Sequence, residues 1–208
     1  MSGELAGKLA IIKISGSPLS LAEEALSRIS DTQWQISTAA KQVVDRDAAP
    51  VLEKYDDSEE IWEEIEYESV DKLTGIFTFA FPGYGSTEQL RVKSGNYLPL
   101  STAAYAHDYT YNRGIDLHDV TSFGEDYRRR LPGLKYASGT LSQWDVTDSY
   151  FADALTSGEP VVLELRGQAA GNPQRVWALI ESDEMAAAVD SLQDEAVSFI
   201  STDELLNV

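Results

Sequence analysis

The sequence predicts a mainly β fold, an antiparallel sandwich or barrel of strands with one or two short flanking helices. Three observations point there. Residues alternate with period two, most clearly where Tyr105, His107, Tyr109 and Tyr111 alternate with Ala104, Ala106, Asp108 and Thr110, as on the two faces of a strand. Apolar runs are short, and many are bounded by glycine, proline or small polar residues about every ten positions. Helical periodicity is scarce by comparison.

Taken in order, Gly7 to Ser15 reads as a first strand, closed by Gly16 and Pro18. Leu19 to Ile29 fits a short helix, with Leu19, Ala22 and Leu26 on one face, and equally an irregular loop. Gln33 to Ser37 and Val51 to Tyr55 are strands, separated by the polar, Ala-rich stretch Thr38–Ala48 and Pro50. The acidic run Asp56–Glu68 sets Ile61 and Ile65 together as a helix, or alternates them with Trp62 and Glu64 as a strand. A strand from about Trp62 is favoured, since Asp71–Gly75 reads as a turn and Ile76–Phe81 as the returning strand of a hairpin. Pro82–Ser86 is a turn, and Gln89–Leu100 contains a strand interrupted at Gly95. Asp116–Asp126 reads as a loop before Asp126–Arg130.

Lys135–Trp144 alternates as a strand, and Thr147 or Asp148 can cap a short helix. Phe151, Ala154 and Leu155 share one helical face, and Ser157-Gly158 stops it. Pro160 opens the β-rich run Val161–Leu165. Gln174–Glu181 is a strand, Ser182–Ala188 fits one helical turn, and Ala196–Ile200 is a last strand. Gln33-Trp34 and Pro50-Val51 recur as Gln143-Trp144 and Pro160-Val161 at one constant offset. The expected organisation is one domain, 1–208, with two pseudo-repeated halves of about 1–100 and 101–208 as an option.

The 208 residues, 43% hydrophobic, suffice for one sizeable core or two small ones. No apolar run reaches the roughly 18 residues of a membrane helix, so no membrane partner is expected. Leu9–Ile12 is shorter than the about 7–15 residues of a signal-peptide core. Without cysteine there are neither disulfides nor thiolate metal sites. The net charge is −19, from 35 acidic and 16 basic residues. Such a chain repels nucleic acid unless its cations cluster. A solubility surface, the proteome of a salt-adapted host, and a surface that must not hold a passing polyanion all fit that charge.

No catalytic pattern emerges: phosphate loop, nucleophile elbow, zinc-protease and calcium-loop motifs are all absent. His107 and His118, with Asp108, Asp116 and Asp119, lack metal-ligand spacing. The carboxylates of the acidic run read as a solvated face rather than an acid–base pair. The expectation is no enzyme, no cofactor and no metal. Arg128-Arg129-Arg130, beside Tyr127, is the one basic cluster. It reads either as a solvated turn or as a dock for an acidic surface, the most available one being a second copy of the chain. Asp56, Asp57, Glu59 and Glu60 are further subunit-interface candidates.

The region from Tyr127 to Leu165 resembles the tail tube proteins (major tail proteins) of long-tailed bacteriophages and related tailed viruses. The resemblance rests on Arg130–Leu134, Ala137-Ser138-Gly139-Thr140-Leu141, Phe151-Ala152-Asp153-Ala154-Leu155 and Gly158–Leu163. It continues through Arg175–Ile180, Glu195–Phe199 and, upstream, Asp71–Phe79. It covers about two thirds of the chain loosely, and Leu19–Ala48 matches little in it.

The resemblance implies a tail-tube β-sandwich or barrel whose copies, six to a ring, join inner strands and stack into a hollow tube for viral DNA. Joined sheets leave no exposed edges, and a ring needs a head-to-tail interface that closes. Thr38–Pro50, Asp56–Glu60 and Ile115–Arg130 would supply contacts between rings. The partners implied are the chain itself, the tape measure, the tail terminator and the baseplate or tip. DNA would pass without specific binding. The location implied is the virion tail, after assembly in the host cytoplasm. The alternative reading is an accessory or decoration β-sandwich on a tailed virus particle.

Overall fold

The computed structural model describes residues 11–80, 84–103, 106–121, 127–144, 150–167, 172–186, 194–202 and 206–207. Its strands are β1 (Ile11–Ser15), β2 (Leu19–Ser20), β3 (Glu24–Arg28), β4 (Gln33–Ile36), β5 (Val51–Asp56), β6 (Ile61–Ile65), β7 (Ser69–Asp71), β8 (Ile76–Thr78), β9 (Leu90–Ser94), β10 (Asn96–Tyr97), β11 (Leu100–Thr102), β12 (Ala106–Asp119), β13 (Arg130–Trp144), β14 (Val161–Arg166), β15 (Gln174–Ala186), β16 (Asp194–Ser201) and β17 (Leu206–Asn207). One α-helix, α1, spans Tyr150–Ser157, and a single 3₁₀ turn spans Ala39–Lys41. The fold is mainly antiparallel β, as the sequence predicts.

The chain divides into two compact units. Unit 1 holds residues 1–14 and 102–208, and unit 2 holds 15–101. Unit 2 is a seven-stranded sheet in the order β6-β5-β9-β3-β4-β8-β7, with β2 and β10 paired separately. Its core is built on Leu21, Trp34, Ile36, Leu52, Phe77, Leu90 and Val92, all nearly or fully buried. Each such side chain contributes about 1.5–3 kcal/mol by leaving water. Arg91 lies over the Trp62 ring at 3.9 Å and reaches Glu53 at 3.0 Å, so a charge and an aromatic face share one cation.

Several expectations for this unit change. Leu19–Ile29 is neither helix nor loop but β2 and β3, because β3 finds neighbours in β4 and β9. Helical spacing of three apolar residues loses to sheet pairing. The acidic strand β6 pairs with β5, Tyr55 opposite Trp62, and not with Ile76–Phe81. The Asp71–Gly75 turn is present, but it joins β7 to β8. Asp71 accepts from the Leu73 N–H and the Thr74 hydroxyl, and Gly75 has φ 66°, which favours glycine.

Unit 1 is built on the strand order β1-β14-β15-β16-β13-β12, with β17 beside β15. Its core faces one side: Ile12, Ile14, Leu141, Leu163, Leu165, Val176, Val197 and Phe199. Helix α1 adds Phe151 and Ala154 to that core, through the face that their i, i+3 spacing predicts, whereas Leu155, expected on the same face, is exposed. Residues 145–149, where the N-cap is expected, lie outside the described residues. Ser182–Ala186 is strand rather than a helical turn, held by β16 through Ser182–Ser198 and the pairs beyond; 187 and 188 lie outside the described residues. Nor is Ile115–Asp119 a loop, since β12 extends through it.

Behind the core face, Glu164 is fully buried on β14. It sits between Lys13 at 2.9 Å, Arg175 at 2.9 Å and Arg166 at 3.1 Å. Burial alone would push its carboxyl up, but hydrogen bonds and charge from Lys13 and Arg175 pull it below the usual carboxylate range.

In each unit a strand, a helical turn and a strand follow at the echoed positions: β4, Ala39–Lys41 and β5, then β13, α1 and β14. Their neighbours differ. β4 lies between β3 and β8, whereas β13 lies between β12 and β16.

Candidate assembly surface

The surface that stands out in unit 1 is built by its two longest strands. β12 and β13 pair antiparallel from Ala106↔Gln143 to Asp119↔Arg130. Beyond β12 the sheet has no further strand among the described residues. β13 has β16 on its other side only from Ser138↔Ile200 to Trp144↔Asp194. The remainder, Arg130–Ala137 with its β12 partners, therefore leaves the sheet as a two-stranded ribbon. A register shift between Ile115 and Leu117 marks a bulge within it.

Close packing at two glycines fixes this ribbon. A methyl on Gly139 would collide with the Thr110 carbonyl oxygen and with the Phe199 ring. Phe199 therefore clamps the junction of β12, β13 and β16. Further out, the Tyr136 ring covers Gly114 and leaves no room there for a methyl. At the far end, the Val120 N–H donates to the Arg129 carbonyl at 2.9 Å, and the Arg129 N–H to the Thr121 hydroxyl at 3.0 Å.

The ribbon is apolar for an exposed element. Leu134 is 80% exposed, Leu117 53% and Leu131 49%, with Ile115, Tyr111 and Tyr136 also open. Of the chain's 35 acidic residues, five lie in 106–144, and so do five of its 16 basic ones. This stretch is thus neutral within a strongly acidic protein.

The other boundary of this region is β15. β14 accompanies it only as far as Val161↔Ala178. From Ser182 to Ala186, β15 pairs with β16 alone among the described residues. The strands β12-β13-β16-β15 thus form a four-stranded patch with an open edge on each side. Side chains alternate across it, so one face carries the core and the other is exposed or half-buried. On the latter face a row of hydroxyls crosses all four strands. Thr110 bonds Thr140 at 2.9 Å, Thr140 stands opposite Ser198, and Ser198 bonds Ser182 at 2.7 Å. Asp108, Glu184 and Asp194 join that face, and over the four-stranded part the described residues place no lysine or arginine on it.

The residues singled out from the sequence fall in both units. Tyr127 is 86% exposed, and Arg128, Arg129 and Arg130 are exposed where the chain enters β13. Arg130 stands opposite Asp119. Hydrogen bonds from the Thr121 hydroxyl and N–H, aided by Arg130, hold the Asp119 carboxyl below the usual range. Asp56, Asp57, Glu59 and Glu60 form the β5–β6 turn of unit 2. There Asp56 accepts from the Ser58 N–H at 2.8 Å and its hydroxyl at 2.6 Å, which lowers the Asp56 carboxyl. The acidic and basic groups therefore do not share a unit.

The ribbon's apolar residues were not among those candidates. The signal was the Tyr105–Tyr111 alternation, which the structure continues to Asp119. His118 lies over Gly133, within the ribbon. Among the described residues no group of histidine, cysteine and carboxylate side chains could hold a metal. No described helix is long and apolar enough to cross a membrane.

No protein-family model matches the chain, and no curated protein matches it. Among solved structures, it is similar to a chain in the tail of an empty gene transfer agent particle, refined helically with C6 symmetry. That likeness has 16% identity and a TM-score of 0.45, and spans 53% of this chain and 87% of the other. It is also similar to a chain in the virion of a native gene transfer agent particle, at 18% identity and a TM-score of 0.43, spanning 51% and 86%.

Proposed function

We propose that the chain is a structural tail-tube subunit that closes head to tail into rings of six, which stack into a tube for DNA. The observation that carries this reading is the four-stranded patch open at both edges. Its strands alternate in direction, so the edge strands β12 and β15 run oppositely. Copies related by simple rotation would then pair β12 of one with β15 of the next, antiparallel, as sheet hydrogen bonding prefers. The same step repeated around an axis closes into a ring and leaves no edge exposed. An odd number of strands would not allow this.

The sequence resemblance to tail tube proteins supports the same reading. Both units would act as one subunit. In the closed ring the hydroxyl-rich face would line the bore. A passing polyanion would meet hydroxyls and the carboxylates of Asp108, Glu184 and Asp194, with no cation to hold it. Arg128–Arg130 and Tyr127 would bridge copies by docking on acidic surface, with Asp56, Asp57, Glu59 and Glu60 among the acceptors. Tape measure, terminator and baseplate or tip proteins would meet the ends of the tube, in the virion and earlier in the host cytoplasm. None of these roles requires catalysis.

The test is imaging and sedimentation of the purified chain over rising concentration and salt. Rings of one diameter, alone or stacked, support the reading. A monomer under every condition opposes it and favours an accessory protein of the particle.

A further inference from the structure

Where the ribbon leaves the sheet, unit 1 contains a groove. β16 ends at Ser201, whose hydroxyl accepts the Ala137 N–H at 2.8 Å. The chain then turns away, and the Thr202 N–H donates to the Trp177 carbonyl at 2.8 Å. This departure leaves the β13 edge from Leu131 to Tyr136 without a strand beside it among the described residues. The cavity so formed has a volume of about 810 Å³ and is lined by Arg113, Asp116, Leu134, Lys135, Tyr136 and Ser201, among others.

Three properties define what fits. The free backbone edge asks for an extended segment, which can add as a strand. Leu134, the most exposed aliphatic side chain of the ribbon, asks for apolar cover. Arg113 and Lys135 outnumber the single carboxylate of Asp116, so the groove favours an acidic occupant. Outside 106–144 the chain has 30 of its 35 acidic residues and 11 of its 16 basic ones. An acidic extended segment is therefore readily supplied by a second copy.

We propose that this groove receives an extended acidic segment of a second copy, which adds as a strand to β13 between Leu131 and Tyr136. This is a contact distinct from the β12–β15 junction, and it rests on the self-assembly reading above. The groove would supply the second interface that a stack needs once each ring has used both edges of its four-stranded patch.

The chain has no cysteine, so Leu134→Cys gives a unique handle inside the groove. The variant is labelled with benzophenone maleimide and irradiated under conditions that favour assembly. The expected result is a dimer-sized adduct whose cross-linked peptide is acidic and comes from the other copy. Adding Arg113→Glu and Lys135→Glu should lower its yield about tenfold or more, since each 1.4 kcal/mol of lost attraction is a factor of ten. An adduct of monomer mass would mean that the chain's own segment fills the groove, and would overturn the proposal. Rings without any cross-link would overturn it while leaving the tube reading intact. Intermolecular adducts without rings would uphold the groove contact and sink the tube reading. A freely labelled monomer that never cross-links would overturn both.

Discussion

Two edge strands of this protein solve the same problem in opposite ways. In unit 2, β6 ends its sheet, and six acidic residues lie between Glu59 and Glu68. Two copies of that edge repel each other, a common protection against uncontrolled pairing. In unit 1, β12 also ends its sheet, but it presents Tyr109, Tyr111, Ile115 and Leu117 with charges of both signs. Nothing there repels a second strand. The contrast teaches that the chain's acidity is not spread evenly: it fences one edge and leaves the other available.

The largest expected effects test whether unit 1 is a folded platform in its own right. Glu164→Gln leaves Lys13, Arg166 and Arg175 around a neutral group. Removing one partner of such a buried cluster costs about 3–5 kcal/mol. Calorimetry should show the unit 1 transition lowered and the unit 2 transition unmoved. Phe77→Ala, at the fully buried centre of the unit 2 core, should do the converse, also at about 3–5 kcal/mol. A single shared transition in both variants would mean that the units melt as one.

Next in size is transplanting the fence. Tyr111→Glu with Ile115→Glu sets carboxylates on the open edge, where they would face Asp183 and Glu184 of β15 on the next copy. Both sites are exposed, so stability should change by no more than about 0.5 kcal/mol each. Assembly should need about tenfold more protein or worse, because like charges set together across an interface cost several kcal/mol. Dismantling the other fence, with Glu63→Thr and Glu64→Thr, should make unit 2 aggregate irregularly, read by light scattering. If neither pair alters association, the edge contrast has no bearing on assembly.

A smaller effect concerns acid. The folded Glu164 carboxyl titrates below its unfolded value, so its stabilisation is present above the unfolded value of about 4.3 and disappears as pH falls through the folded one. Unit 1 should therefore lose stability below about pH 4. Glu24 is also held low, burial opposing and Lys41 and Thr38 favouring its charge, which gives unit 2 a loss in the same direction. Melting curves of Glu164→Gln over that range should lack the unit 1 step. A step that persists would place the acid sensitivity elsewhere.

Much of this was legible in the sequence. The class was, since alternation and turn residues act locally. So was helix α1 from Tyr150, through Phe151 and Ala154, and so was strand β14. What was not legible was partnership. The acidic strand was read as half of a hairpin with Ile76–Phe81, but β5 claims it, and Tyr55 against Trp62 explains the preference only once both are seen together. Leu19–Ile29 hid two strands because β3 draws its neighbours from β4 and from the distant β9. Ser182–Ala186 looks helical by composition, yet pairing with β16 decides it. The three arginines, with Tyr127 beside them, were singled out from their charge, and the structure shows them exposed. The exposed Leu117, Leu131 and Leu134 were missed, because exposure depends on where β16 stops.

The most direct test of the account is the mass of the associated species, measured by sedimentation for the native chain and for the Tyr111→Glu, Ile115→Glu variant. Head-to-tail closure predicts a discrete native ring of six copies, or stacks of it, and a folded variant that remains monomeric. A native chain that never passes the monomer, or a variant that forms the same rings, would contradict it.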